Sequence, residues 1–150
     1  MHFEIDFKAD HLIRTLSLVR QQLVRPEELL GGIGEALLPI TRKRHDQGLA
    51  PDGTKWKELS PATLKRKRNP KILYEHGDLL RFHYQVAGDT LYIGTNDKKG
   101  VFHHFGTRRT ARHPGLPARP LAGFPADDQR LVSDLIGDHL AEALRGARGG

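Results

Sequence analysis

The sequence predicts an α+β fold: a small antiparallel sheet packed by helices, with an extended Pro/Arg-rich loop or arm and a C-terminal helix. Three observations predict it. HFEIDFK near the N-terminus alternates apolar and polar residues, the period of a half-buried strand. FHYQV and TLYIG flank the tripeptide Ala87-Gly88-Asp89, as the two arms of a hairpin would. Residues 127–145 carry apolar side chains at helical spacing, whereas residues 106–125 carry four prolines and cannot form a regular helix.

Taken in order, the first element is a strand with Phe3, Ile5 and Phe7 on one face. Asp10 then caps a helix whose stripe is Leu12, Ile13, Leu16 and Val19. Pro26 suits the first turn of the next helix, with Glu27 and Glu28 at its positive end. That helix is expected to reach about Gln47, weakened by Gly31, Gly32 and Gly34 and kinked at Pro39. Asp52-Gly53 marks a turn, and Trp56 after it is expected to close the edge of the core. Ser60-Pro61 reads as an N-cap and first helical residue of a short helix ending near Asn69-Pro70. Gly77-Asp78 punctuates the segment before the hairpin. In the hairpin, Phe82, Tyr84 and Val86 share a face, as do Leu91 and Ile93. VFHHF at 101–105 is either a short helix or a third strand. An arm follows over about 106–125, and the last helix ends at Gly146, leaving a flexible tail at 146–150.

With 150 residues and 37% hydrophobic content, the chain fits a single domain, 1–150, with a modest core. A chain of this length buries roughly 70% of the surface that its unfolded form exposes. The absence of cysteine excludes disulfides, thiol chemistry and zinc sites built on Cys. The N-terminus lacks a basic segment followed by an apolar core, so no signal peptide is expected. No apolar run approaches the ~18 residues of a membrane helix, and no membrane partner is expected.

Three histidines and four arginines fall within VFHHFGTRRTARHPGLPARP, residues 101–120. A zinc site needs three or four converging ligands. His103 and His104 are adjacent and diverge on either a strand or a helix, and His113 sits beyond arginines with no carboxylate near. No metal and no cofactor is therefore expected. Ser17, Ser60 and Ser133 lack a nucleophile-elbow context, and GGIG at 31–34 lacks the lysine and spacing of a phosphate loop. The chain reads as a non-enzyme, with no catalytic residues. The formal net charge of +6 permits contact with nucleic acid or acidic protein. Lys65, Arg66, Lys67, Arg68 and Lys71 form one basic cluster, and Arg108, Arg109 and Arg112 form another. Neither has interleaved aromatics. The 65–71 run reads first as a solvated face, with nonspecific phosphate contact as the alternative.

An ordered set of short motifs carries more information: APDGTKWKEL, SPATLKRK, KILYEHGDLLRF, DTLYIGTN, VFHHFGT and LPARPLAG. Together, over about residues 50–124, they resemble the phage virion morphogenesis family, the tail-completion and head–tail joining proteins of Mu-like and related tailed phages. The residues that carry the resemblance are Asp52-Gly53 with Trp56, and Leu73 with Gly77, Leu79 and Leu80. They continue with Ile93-Gly94-Thr95, His103/His104-Phe105-Gly106, and Leu116-Pro117-Ala118-Arg119-Pro120-Leu121. The chain departs from the pattern at Ala122-Gly123 and in its arginine-rich loop after Gly106.

The resemblance implies a structural phage protein located in the virion, at the neck or tail end, and assembled in the host cytoplasm. It implies a subunit of a homo-oligomeric ring, with a hexamer as the first guess, whose partners are its own copies and other neck and tail proteins. Nonspecific contact with packaged DNA is the alternative use of the basic clusters at 65–71 and 108–119. On this reading His104 and Phe105 anchor the base of the arm. The stretch from Arg108 to Arg119, with Arg108, Arg109, Arg112, Pro117 and Arg119, is expected to reach outward to a neighbouring subunit, Arg119 onto one of its carboxylates, and Gly106 and Pro120 complete the expected interface. Deleting residues 107–120 is then expected to leave the monomer folded.

Overall fold

The computed structural model describes residues 2–5, 26–73 and 81–148. Its elements are β1 (His2–Ile5), α1 (Pro26–Gln47), α2 (Pro61–Arg66), β2 (Phe82–Ala87), β3 (Thr90–Thr95), α3 (Lys99–Phe105) and α4 (Ala126–Arg148). The architecture is α+β, as the hydrophobic periods predict. Phe7, the helix capped by Asp10 and the Gly77-Asp78 punctuation lie outside the described residues.

The three strands form one antiparallel sheet in the order β1-β3-β2. The hairpin is tighter than the sequence suggests: Ala87 pairs with Thr90, leaving Gly88-Asp89 as a two-residue turn. Gly88 has φ +62°, the left-handed conformation such turns require. β3 is central because β1 covers its other edge, with Phe3 opposite Ile93 and Ile5 opposite Leu91.

Helix α1 starts at Pro26, with Glu27 and Glu28 in the first turn, and continues through Pro39 to Gln47. Leu29, Leu30, Ile33 and Leu37 recur at helical spacing and are buried. They meet Leu91 and Ile93 of β3 and Val132 of α4 in the main core. Gly34 lets the helix approach the sheet. A Cβ there would lie 2.5 Å from the Tyr84 ring of β2. The glycine that weakens the helix locally is the one that allows its close packing. Arg44, near the C-terminus of α1, grips Asp128 in the first turn of α4 through two hydrogen bonds of 2.7 and 2.6 Å. This pair ties the two long helices together, and its bonds to Asp128 hold the Arg44 guanidinium above its ordinary pKa.

A second cluster gathers Ala50, Trp56, Leu73, Phe82 and Leu121. Trp56 is 4% exposed, as expected of a ring that closes the core edge. The turn before it is held by Asp52, whose carboxylate accepts from the Thr54 amide at 2.9 Å. Helix α2 is capped by Ser60, whose Oγ accepts from the Thr63 amide at 3.2 Å. It ends at Arg66, earlier than Asn69-Pro70 would dictate. Residues 101–105 take the helical alternative, as part of α3. The C-terminal helix corrects the tail boundary: it passes through Gly146 to Arg148. One glycine costs a helix only about 1 kcal/mol, and Arg145, Ala147 and Arg148 around it are good helix formers.

Candidate functional site

The motif-rich stretch from 101 to 121 is built from α3, a bridged loop and a returning strap. Gly106 ends α3 with φ 72°. A Cβ there would lie 2.7 Å from the Leu116 carbonyl oxygen and 2.8 Å from the Ala118 nitrogen. The chain therefore turns and meets its own return segment at a residue that only glycine fits. Immediately afterwards Thr107 and Leu116 form an antiparallel bridge, with amide-to-carbonyl distances of 2.9 and 3.2 Å. Inside it, the Thr110 amide donates to the His113 carbonyl at 2.8 Å, and the His113 amide donates back to Thr110 Oγ1 at 3.1 Å. Residues 107–116 are thus a closed loop with its own hydrogen bonds. Arg108, Arg109, Arg112 and His113 are all exposed on it. None of these three arginines makes a hydrogen bond or ion pair with any described residue.

The strap at 117–121 behaves differently, and here the outward-reaching picture is corrected. Arg119 is 4% exposed. Its Nε donates to the Lys57 carbonyl at 2.8 Å and its Nη2 to the Glu58 carbonyl at 3.2 Å. Its amide donates to the His103 carbonyl at 2.7 Å. The guanidinium fork is therefore spent inside its own chain, on the two carbonyls that follow Trp56. Pro120, half-buried, offers its carbonyl to Trp56 Nε1 at 2.8 Å. Leu121 is 2% exposed in the second core cluster, and its amide donates to His104 Nδ1 at 3.1 Å. Pro117 is also half-buried. The physical reason is that the strap supplies an apolar side chain and three backbone groups that complete the Trp56 cluster. It follows that removing 107–120 would take away buried Arg119 and the Pro120 carbonyl that hold the Trp56 junction, which runs against the expectation that the monomer survives it.

His104 Nδ1 accepts the Leu121 amide and so ties α3 to the strap within the chain. Burial pushes the imidazoles of His103 and His104 below their ordinary pKa, and the nearby Arg119 cation adds to the effect at His103. His104 is therefore a neutral acceptor for the Leu121 amide at pH 7, and His103, whose buried Nδ1 has no hydrogen-bond partner, a neutral packing group. Phe105 lies against the His104 ring edge-on, with centroids 4.5 Å apart, yet is 70% exposed. Phe102, one turn earlier, is 55% exposed. The sequence reading places Phe105 at the base of the arm but does not single out Phe102, which shares its face of α3. The signal for Phe102 was available as an aromatic at i, i+3 to Phe105 on a short helix.

The histidines do not converge on a metal, since no group of three or more His, Asp or Glu residues suited to an ion exists among the described residues. Of the basic cluster at 65–71, Lys65, Arg66 and Arg68 are exposed. Lys67 donates to the Lys71 carbonyl, and Lys71 pairs with Asp46 at 2.8 Å. No helix among the described residues is long and apolar enough to cross a membrane.

The phage virion morphogenesis family matches residues 8–141, nearly the whole chain. The chain belongs to that family. Among its relatives is the protein named "Tail completion protein S" of Escherichia phage P2, 28% identical over 143 residues, covering 77% of this chain and 95% of that one. No solved structure matches. Membership makes this a non-catalytic, structural protein of virion morphogenesis, of the tail-completion and head–tail joining kind, located in the virion. Gly106 and Pro120 close the arm, Gly106 by its contact with the return segment at Leu116–Ala118 and Pro120 through its carbonyl bond to Trp56.

Proposed function

We propose that the chain completes the tail as a subunit of a homo-oligomeric ring, a hexamer to match a six-fold tail end, at the neck or tail terminus. The observation that carries this reading is the contrast within the arm. Its base is pinned by Arg119, Pro120 and Leu121, while the loop at 107–116 presents three unpaired arginines beside two exposed phenylalanines. A rigid base with a free charged tip is pre-organised to bind, because the cost of ordering it is met within the subunit. Repetition around a closed ring multiplies each modest contact. Interface residues on this reading are His104, Phe105, Gly106, Arg108, Arg109, Arg112, Pro117, Arg119 and Pro120. The tip makes the contact, and Gly106, His104, Pro117, Arg119 and Pro120 hold it in place. Contact of the Lys65–Lys71 face with packaged DNA is the lesser use, because Lys67 and Lys71 are already engaged within the chain.

The test replaces Arg108–Gly115 by Asn-Gly, a two-residue turn able to close the Thr107–Leu116 bridge. The variant should melt like wild type and fail to form rings or complete tails, read by sedimentation and electron microscopy. Identical assembly of both chains would take the arm's tip out of the interface, and absence of rings from wild type, alone or on tails, would overturn the ring reading.

A further inference from the structure

The loop and α3 present an apolar-and-basic surface, and the same chain carries its complement elsewhere. On α4, Ser133, Gly137 and Ala141 recur at i, i+4 and i+8 and are all exposed. A Cβ at Gly137 would meet nothing within 4 Å. These three small residues leave a shallow open furrow roughly 12 Å long on the outer side of the helix. Along its edge runs a second stripe at the same spacing, Asp134, Asp138 and Glu142, also exposed. None of these carboxylates makes an ion pair or hydrogen bond with any described residue. No ion pair links them to the arginine loop within one subunit.

We propose that the Phe102/Phe105 face and arginine loop of one subunit dock on this outer face of α4 in a second copy. The proposal rests on the ring reading and names its two surfaces. Phe102 and Phe105 lie three residues apart, so their rings project together from α3. They fit a furrow floored by Ser133, Gly137 and Ala141, where larger side chains would hold them off. Arg108, Arg109 and Arg112 then face the acidic stripe, where guanidinium and carboxylate pair with charge-assisted hydrogen bonds. Apolar centre and charged rim match the anatomy of protein interfaces. Because the two surfaces are different patches of one chain, the contact is heterologous. Such contacts propagate head to tail and close into rings. A self-matching two-fold patch would stop at a dimer.

Charge exchange gives the test. One variant carries Arg108→Glu, Arg109→Glu and Arg112→Glu; another carries Asp134→Lys, Asp138→Lys and Glu142→Lys. Each alone should lose ring formation and tail completion, while their equimolar mixture should recover both, because every contact in an alternating ring again joins opposite charges. Gly137→Leu should keep the fold, since its side chain enters open space, and block assembly. The chain lacks cysteine, so Phe105→Cys with Ala141→Cys should give oxidised ladders, absent from either single variant. If wild-type rings form but the mixture stays unassembled and no ladder appears, the docking surfaces are wrong and the ring reading stands. If wild type forms no ring, alone or on tails, both fall. If the arginine variant loses only salt-sensitive DNA binding and still assembles, the loop's partner is a phosphate backbone, and the inference is overturned.

Discussion

The indole Nε1 of Trp56 donates to the backbone carbonyl of Pro120 at 2.8 Å, joining a turn and a strap that are 64 residues apart in sequence. The bond explains why a D-G turn, a tryptophan and an A-R-P segment occur in one motif set. Trp56→Phe keeps most of the buried ring but leaves the Pro120 carbonyl without its donor. An unsatisfied buried acceptor costs about 1–3 kcal/mol. Denaturant unfolding should register that loss, and Trp56→Ala should lose more, about 3–5 kcal/mol, by adding a cavity. Equal stability of Trp56→Phe and wild type would show that the bond is not holding the strap.

Arg119 completes the same junction from the other side. Its guanidinium reaches two successive carbonyls, Lys57 and Glu58, which a lysine ammonium could not span with a planar fork. Burial lowers its pKa, so the charge is held in place by these carbonyls at some desolvation cost. Arg119→Lys should therefore destabilise, by roughly 1–3 kcal/mol, on the scale of one hydrogen bond from a charged donor. It should also raise hydrogen exchange at the His104-bonded amide of Leu121. Arg119→Lys with unchanged exchange there would locate the strap's stability elsewhere.

How much of this was legible in the sequence depended on the range of the interaction. Pro26, Ser60 before Pro61, and the tripeptide Ala87-Gly88-Asp89 are local signals; α1, α2 and β3 begin where they place them, although Ala87 itself pairs within β2. Trp56 was legible too, because a large aromatic after a turn has few uses except core closure. The burial of Arg119 was not. Nothing near 119 in sequence shows that the Lys57 and Glu58 carbonyls stand opposite, and a solvated arginine is the ordinary expectation. The run of four prolines at 106–125 likewise conveyed extended backbone, and that much was right. It could not convey that Leu121 fills a core position, since a lone apolar residue in an irregular stretch has no period to expose its facing. Gly146 misled for the opposite reason: a local stop signal was outweighed by its helix-forming neighbours.

Arg44 and Asp128 form another pair invisible in sequence, 84 residues apart. The side chain of Asp128 is 5% exposed and that of Arg44 18%. Asp128 also sits in the first turn of α4, where a carboxylate faces the positive end of the helix. Asp128→Ala strands a largely buried guanidinium and should cost up to about 3–5 kcal/mol. Arg44→Met with Asp128→Leu, which removes both charges, should recover most of the loss. Thermal unfolding of the two single and one double variant checks this. A double variant as unstable as the sum of the singles would mean the two positions act independently.

His45 gives the protein an acid limit. Its ring stands edge-on to Trp56 at 5.2 Å and to Phe82 at 5.5 Å, and neither nitrogen has a hydrogen-bond partner. Burial lowers its pKa from 6.5 to about 4, with the nearby Asp46 carboxylate opposing the shift only weakly. The native state thus keeps the imidazole neutral at pH values where the unfolded chain protonates it. Stability is full above about 6.5, falls as pH drops through the window, and levels off near 4, where native His45 protonates too. The linkage is worth roughly 3 kcal/mol at most. His45→Met fills the aromatic niche with a flexible apolar side chain that cannot titrate. Its stability at pH 7 should stay close to wild type, since both lost polar atoms are unpaired. Between pH 6.5 and 4 the variant should lose less stability than wild type, measured by urea unfolding across that range. If both proteins lose stability with the same slope, another group sets the acid limit and His45 is merely packing.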